Sequence, residues 1–212
     1  MNETYISHSQ PATAQDVWVM ERLGKLRLGY FVEIGGYDGL HHSNTLALES
    51  YYGWKGLLVE ANPRLYKLMQ ENRPRCFHDG RAVSCTSDST ARFSCADQWG
   101  GLDAFLPQAW KDEAQDRRTP HCWVTTVTLN ALLSHHDCPK VIDYLSLDIE
   151  GAEICVLNEF FRFPKHRFRC MTIEYQQDAG TLMRLERLLE PHGYMLERVQ
   201  AWDAFFYNKE LR

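Results

Sequence analysis

The sequence predicts an α/β fold in which helices cover both faces of a mostly parallel sheet. Short apolar runs alternate along the chain with segments of helical periodicity, as in successive βαβ units. The first run, 30–34, stops at the glycine-rich turn 35–39, and a helix pattern follows. Three of the runs carry acids at or near their ends, at Glu33, Glu60 and Asp148. Because the carboxyl ends of parallel strands share one edge of a sheet, these acids are expected to lie together at a ligand site.

Length and composition predict one domain over residues 1–212 that binds neither nucleic acid nor a membrane. A chain of 212 residues with 44% hydrophobic and 24% charged side chains is an ordinary soluble globule. The formal net charge of −5 argues against nucleic acid as the main partner. No apolar run approaches the ~18 residues of a spanning helix, and the polar start of the chain shows no signal-peptide pattern.

The cysteines predict a reducing environment. The sequence has seven of them, an odd number, and none belongs to a C-x-x-C pair. Each is expected to be a small buried hydrophobic residue. We therefore expect no structural disulfide and a cytoplasmic location.

The first half of the chain predicts three helices and three strands. Apolar residues at helical spacing predict a helix after a loosely ordered lead-in over 1–14. Asn62 and Pro63 predict another helix start, because asparagine caps helices well and proline is favoured at the first helical position. Asp79 and Gly80 predict a bend inside the third strand. The predicted helices are 15–28, 43–52 and 63–73, and the predicted strands are 30–34, 56–60 and 76–84.

The second half begins with a short β insertion over 85–101 and then becomes polar. Residues 103–120 contain two prolines and a run of charges without a clear pattern, so a mobile lid or substrate loop is expected within 102–122. Thr128 and Thr181 are expected to cap helices. The last two strands are expected to be antiparallel. The predicted strands are 123–127, 141–147, 169–175, 194–199 and 202–207, and the predicted helices are 129–135, 152–161 and 182–189.

The glycine-rich turn differs from the usual dinucleotide-binding pattern. It has Tyr37 where G-x-G-x-x-G folds keep glycine, and it adds the acid Asp38. A pyrophosphate binds bare backbone N–H groups, whereas an acid favours a ligand with positive charge. Glu60 lies 21 positions after Gly39, close to the ~20 expected for a carboxylate on a ribose diol. These features favour S-adenosylmethionine, which carries a sulfonium, an ammonium and a ribose, over NAD.

Five segments together resemble one protein family. They are FVEIGGYDG (31–39), SNTL (43–46), GWKGLLVEANP (53–63), IDYLSLDIEGAE (142–153) and TIE (172–174). The chain is similar over most of its length to the FkbM-type S-adenosylmethionine-dependent methyltransferases. The resemblance implies a class I methyltransferase fold, a Rossmann-like three-layer sandwich around a mostly parallel seven-stranded sheet with an antiparallel C-terminal strand. It also implies methyl transfer to a hydroxyl oxygen.

The resemblance further implies which residues bind the cofactor. Glu33, Gly35 and Asp38 would border its methionyl part, and Glu60 would hold its ribose. Arg81 and Ala82 would lie against the adenine, and Asp148 would face the methyl group. The full set of expected cofactor-binding residues is Glu33, Gly35, Gly36, Asp38, Asn44, Glu60, Ala61, Arg81, Ala82 and Asp148.

Methyl transfer to a hydroxyl requires a group that removes the proton of the acceptor. The candidate bases are Asp148, Glu150, Glu174 and His42. The three carboxylates are alternatively expected to share a divalent cation such as Mg²⁺. Residues 135–138, His-His-Asp-Cys, have zinc-compatible atoms but are expected to form a plain loop, because adjacent residues cannot surround one tetrahedral ion well.

The expected partner is a small-molecule or carbohydrate acceptor with a hydroxyl group. Two other functions remain open at the level of the sequence. One is an NAD-binding oxidoreductase, which Tyr37 and Asp38 disfavour. The other is a catalytically silent interaction module, which the joint presence of Glu33, Glu60 and Asp148 disfavours.

Overall fold

The structure, a computed structural model, describes residues 7–211, so that the first six residues of the predicted lead-in lie outside it. Strands and helices alternate along the chain as predicted. The strands are β1 Tyr30–Ile34, β2 Lys55–Val59, β3 Phe77–Asp79, β4 Ala82–Val83, β5 Thr90–Ser94, β6 Gly101–Leu102, β7 His121–Val127, β8 Val141–Leu147, β9 Arg167–Glu174, β10 Tyr194–Gln200 and β11 Asp203–Asn208. The α-helices are α1 Gln15–Arg22, α2 Leu46–Tyr52, α3 Pro63–Asn72, α4 Gln108–Asp116, α5 Leu129–His135, α6 Glu153–Phe160 and α7 Ala179–Leu189.

The main sheet of the described chain has seven strands in the order β10-β11-β9-β8-β1-β2-β3. Strands β9, β8, β1, β2 and β3 are parallel to one another, and β11 pairs antiparallel with both β9 and β10. This confirms the predicted sheet. The register places Ile34 beside both Val59 and Leu147, so that β1, β2 and β8 end level with one another. Gly35, Glu60 and Asp148 therefore begin the loops of one sheet edge.

Helices cover both faces of the main sheet, which confirms the three-layer sandwich. On one face α5, α6 and α7 pack against the strands through buried residues such as Leu132, Leu157 and Leu185. On the other face α1, α2 and α3 contribute Trp18, Leu48 and Met69. Burying each side chain of this size contributes about 1.5–3 kcal/mol, which fixes the sheet between its helices. None of the helices within residues 7–211 has the length and apolar character needed to cross a bilayer.

Several predicted element boundaries are wrong. Helix α1 ends at Arg22 instead of continuing to residue 28, because Lys25 and Leu28 take positive φ angles of 58° and 59°. Asp178, not Thr181, caps α7, and its carboxylate accepts a hydrogen bond from the Thr181 N–H at 2.6 Å. The sequence could not decide between these two residues, since both are favourable helix caps.

The predicted third strand is divided between two sheets. Only β3 joins the main sheet, and β4 pairs with β7 in a second sheet whose order is β4-β7-β5-β6 across the described residues. The predicted bend at Asp79 and Gly80 is the point of division. The predicted insertion over 85–101 is therefore part of a small sheet that continues to β7, and this sheet lies over the carboxyl edge of β2.

The prediction of a loop without regular structure over 103–120 is wrong, because α4 occupies half of it. Its Ala114 is buried, whereas the charges of the segment lie mostly on exposed positions, which hides the helical pattern in the sequence. The role of this segment as a lid stays a prediction.

The prediction that the chain has no disulfide is also wrong. Cys85, which follows β4, is bonded to Cys155 of α6, and their Cα atoms lie 5.5 Å apart. The two residues are 70 positions apart, so that their spacing carries no signal and only the fold brings them together. The bond joins the small sheet to a helix of the main core. The cytoplasmic location inferred from the cysteines loses its support, because that inference assumed free thiols.

Candidate active site

A cavity of about 500 Å³ opens at the carboxyl edge of the main sheet. Its walls come from the turn after β1, the ends of β8 and β9, the segment before α1 and the first residues of β11. The structure brings together here eight of the residues expected from the sequence. They are Glu33, Gly35, Gly36, His42, Asn44, Asp148, Glu150 and Glu174.

Two narrower cavities of about 40 and 50 Å³ continue along the same edge towards β2 and β3. One of them collects the remaining expected cofactor residues apart from Asp38, namely Glu60, Ala61, Arg81 and Ala82. Gly35 and Asp148 line all three cavities. The three cavities thus form one elongated site, with Gly35 and Asp148 at its centre.

Gly35 makes the centre of the site possible because it has no side chain. Its φ is +85°, and a Cβ at this position would overlap the carbonyl oxygen of Asp148. The N–H groups of Gly35 and Gly36 both donate to the carbonyl of Val59, at 3.0 and 2.9 Å. The turn is therefore fixed against β2 and β8 at the same time, and leaves the backbone open to a ligand.

Glu60 is held in place by the two loops that flank it. Its Oε2 accepts a hydrogen bond from the Tyr37 N–H at 3.0 Å, and its Oε1 accepts one from the Asn62 N–H at 2.7 Å. Burial raises the pKa of Glu60 to about 7, although these hydrogen bonds act in the opposite direction. Each carboxylate oxygen has a second acceptor position, so that Glu60 can still accept hydrogen bonds from a diol.

Glu33 is buried and holds the loop before α2. Its carboxylate accepts hydrogen bonds from the Asn44 N–H at 2.8 Å, the Ser43 hydroxyl at 3.1 Å and the Thr45 hydroxyl. Burial raises the pKa of Glu33, and the charge of Arg73 and these hydrogen bonds oppose the rise. Glu33 thereby shapes one wall of the main cavity. Its contact with the methionyl part of a cofactor stays a prediction.

Asp38 lies outside the lining of the three cavities. Its carboxylate accepts hydrogen bonds from the N–H groups of Leu40 and His41, at 2.9 and 2.8 Å, and lies 2.5 Å from the His41 Nδ1. Burial would raise the pKa of Asp38, but these hydrogen bonds outweigh it and lower that pKa. Asp38 therefore stabilises the turn that presents His41 and His42 to the main cavity, and its expected contact with the cofactor stays a prediction.

Asp148, Glu150 and Glu174 form a cluster in which, within the described residues, one oxygen of each lies within 4.8 Å of the others. Burial raises the pKa of all three carboxyls, that of Glu150 to about 9, and their mutual repulsion adds to the rise for Glu150 and Glu174. Glu150 has a positive φ of 58°. The carboxylate of Glu153 accepts hydrogen bonds from the N–H groups of Ile149 and Gly151, at 2.9 and 3.0 Å, and so fixes this turn.

A protein-family model matches the part of the chain that contains this site. The model of the FkbM methyltransferase domain matches residues 33–198, which include the glycine-rich turn, Glu60 and the acidic cluster. The chain belongs to the FkbM methyltransferase family. No curated protein matches this FkbM chain in sequence.

Solved structures confirm that this FkbM domain has the class I methyltransferase fold. The METTL16 methyltransferase domain is 14% identical with a TM-score of 0.53, and the match covers 91% of this chain and 65% of that one. The human METTL16 N-terminal domain in complex with S-adenosylhomocysteine is 12% identical with a TM-score of 0.51, over 93% and 72% of the two chains. PH1948 of Pyrococcus horikoshii, provisionally assigned as an RNA methyltransferase, is 10% identical with a TM-score of 0.51, over 95% and 84%.

The FkbM site also contains residues to which the sequence analysis gave no role in the site. Gln15 of α1 donates from Nε2 to Asp203 at 2.7 Å and accepts from the Tyr144 hydroxyl at 2.8 Å. Burial and the charge of Asp148 raise the pKa of Asp203 to about 7. These partners are more than a hundred positions apart, so that no local pattern could reveal them. The cavity wall further includes three tryptophans of the described chain, Trp99, Trp110 and Trp202.

Proposed function

We propose that this protein is an S-adenosylmethionine-dependent methyltransferase that methylates a hydroxyl oxygen of a small molecule or carbohydrate. One observation carries the proposal. Three adjoining cavities follow the carboxyl edge of the sheet and meet at Gly35 and Asp148, with Glu60 on one side and the acidic cluster on the other. An elongated site of this kind suits a cofactor at one end and an acceptor at the other.

The cofactor end fits an adenosine group by the chemistry of its side chains. Glu60 offers acceptor positions for the ribose hydroxyls. Ala61, Ala82 and Phe93 provide apolar walls beside it. The guanidinium of Arg81 is engaged with Asp79 at 2.6 Å, so that Arg81 would border the adenine through its stem and backbone.

The acceptor end suits a neutral, hydroxylated molecule. Its tryptophans offer flat apolar surfaces for a sugar or another ring, and Gln98, Gln176 and Gln177 offer hydrogen bonds. Within the described residues, no lysine or arginine lines this cavity. A nucleic acid requires cations for its phosphates, so that the lining disfavours the RNA substrate suggested by the assignment of PH1948.

S-adenosylmethionine supplies the methyl group on a sulfonium centre. The chain has to orient the acceptor hydroxyl and take up its proton. Asp148, Glu150 and Glu174 are candidates because their raised pKa values make the ionised form of each a stronger base than an exposed carboxylate. His42 is exposed on the wall of the same cavity and is the other candidate.

Calorimetric titration with S-adenosylhomocysteine, in buffer with EDTA, tests the cofactor assignment. The wild-type protein is expected to bind, and Glu60→Gln is expected to bind roughly ten- to a hundredfold more weakly, since charge-assisted hydrogen bonds to the ribose are lost. Glu159→Gln, on α6 outside the three cavities, is the matched control and should bind like the wild type. A wild-type protein that binds NAD but not the nucleoside would favour the oxidoreductase, and one that binds neither would favour the silent module.

The acceptor is tested separately with radiolabelled S-adenosylmethionine. A panel of sugars, glycosides and phenols is offered beside a mixture of short RNAs. Transfer to a hydroxylated small molecule, with a label that resists mild alkali as an ether does, supports O-methylation. Transfer to RNA alone contradicts the proposed acceptor class without affecting the cofactor assignment.

A further inference from the structure

The cluster of Asp148, Glu150 and Glu174 lies where β8 and β9 end at the main cavity. Their closest oxygens lie within 4.8 Å of one another, which is a distance that one bound ion can span. We propose that these three carboxylates bind one divalent cation that prefers oxygen ligands, such as Mg²⁺ or Mn²⁺.

Glu174 provides independent support for a ligand at this position. Its side chain lines the cavity, and the residue is only 8% exposed. Its Oε2 is buried and has no hydrogen-bond partner among the described residues. Leaving a buried carboxylate oxygen unpaired is costly, and coordination to a cation would satisfy it.

The charges around the cluster also favour a bound cation. Glu33 faces the positive charge of Arg73, but the cluster has no such neighbour in the cavity lining of the described chain, which contains neither lysine nor arginine. The uncharged amide of Gln176 does contact the cluster, with its Nε2 3.4 Å from the Glu150 Oε2. Ionising all three carboxyls would place three negative charges side by side, and a divalent cation would offset two of them.

A second group with metal-compatible atoms shows why the acidic cluster differs. Asp79, His135 and His136 also come together in the described structure. The Oδ2 of Asp79, however, already accepts hydrogen bonds from Arg81 at 2.6 Å and lies 2.8 Å from the His136 Nε2. A guanidinium at this distance repels a cation and occupies the ligand oxygen, so that we make no proposal for this group.

The ligand set also indicates which cations fit. All three side chains offer oxygen, which favours Mg²⁺, Mn²⁺ or Ca²⁺ over ions that select sulfur or imidazole. Asp148 and Glu150 are held by the turn that Glu153 fixes through the Ile149 and Gly151 N–H groups. Two of the ligands are therefore prepositioned, which reduces the entropy lost on binding.

The role of the cation in catalysis rests on the proposed function, whereas its binding does not. In a methyltransferase it would place positive charge beside the hydroxyl that loses its proton. The three carboxylates would then be committed as ligands. His42 would remain as the candidate base on the cavity wall.

Titration with Mn²⁺, followed by the electron paramagnetic resonance signal of the free ion, tests the site in the full-length protein. The wild type is expected to bind one Mn²⁺ that Mg²⁺ displaces. Glu174→Gln and Glu150→Gln are each expected to weaken binding about tenfold or more. Glu159→Gln is the matched control, because its Oε2 is also buried without a partner but lies outside the cavity, and it should bind Mn²⁺ like the wild type.

A wild-type protein that binds no Mn²⁺ at millimolar concentration overturns the proposal, and this measurement depends on no variant. Equal binding by Glu174→Gln, Glu150→Gln and the control also overturns it. Binding of S-adenosylhomocysteine in EDTA without any Mn²⁺ binding would support the proposed methyltransferase function and overturn the proposed cation site. Specific Mn²⁺ binding without nucleoside binding would support the cation site and contradict the proposed function.

Discussion

Replacing Gly35 by alanine tests the close contact at the centre of the site. Gly35 has a φ of +85°, where an alanine costs about 1–2 kcal/mol, and its Cβ would overlap the backbone carbonyl of Asp148. Because a backbone oxygen cannot rotate away, the overlap is expected to add about 1–3 kcal/mol. The variant should therefore lose about 2–5 kcal/mol in the free energy of unfolding.

Gly24→Ala is the matched control for Gly35→Ala. Gly24 also has a positive φ, of +59°, but a Cβ there would meet no atom within 4 Å. Its loss should be limited to the backbone cost of about 1–2 kcal/mol. The difference between the two variants isolates the contact with Asp148.

Urea unfolding followed by tryptophan fluorescence measures both losses, and calorimetry with S-adenosylhomocysteine measures the effect on the site. Gly35→Ala is expected to unfold at lower urea than Gly24→Ala with the same m value, and to bind the nucleoside more weakly. If the two variants unfold at the same urea concentration, the contact between Gly35 and Asp148 does not constrain the fold and the reasoning fails.

Three further outcomes are expected. Cys85→Ser should lose about 2–5 kcal/mol of stability by removing the bond to Cys155, and a reductant should lower the urea midpoint of the wild type but not of the variant. Arg73→Met should cost about 3–5 kcal/mol, because it removes the buried cation beside the Glu49 carboxylate of α2 and leaves that carboxylate only an exposed partner. By contrast, Arg75→Met removes an exposed partner of the same carboxylate and should cost at most about 1 kcal/mol, so equal losses would contradict this account. The pKa of Glu60 is raised to about 7 from 4.5, so that the folded state holds this proton more tightly and stability is lost as pH rises through that range. Glu60 should contribute up to about 1.4 kcal/mol per pH unit to the slope of stability between about pH 4.5 and 7, so that Glu60→Gln makes the slope measured by urea unfolding shallower, and identical slopes would refute the assignment.

Much of the fold was predictable because it depends on local patterns. Apolar runs that end in glycine or acids identified β1, β2 and β8, and the order of strands and helices required a parallel sheet covered on both faces. The caps at Asn62 and Thr128 were predicted correctly, since each accepts a hydrogen bond from the first turn of its own helix. Such signals involve only neighbours in the sequence.

The errors occurred where distant segments decide the structure. The end of α1, the division of the strand at Asp79 and the helix within 103–120 depend on packing against other elements. Similarly, the bond between Cys85 and Cys155 requires two segments that the sequence does not relate. Local propensity is a weak guide at such places, because tertiary contacts override it.

The sequence by itself determined the family, the sheet and the set of strand-end acids, because these follow from residue types in a fixed order along neighbouring positions. Only the tertiary structure decided what each acid does. Asp38 accepts hydrogen bonds from its own loop, and Glu33 holds the loop that forms one wall of the main cavity. Glu174 has a buried oxygen without a hydrogen-bond partner among the described residues. The physical reason is that the strength of a carboxylate as a ligand or base depends on its burial and its partners, and both are set by segments far apart in the chain.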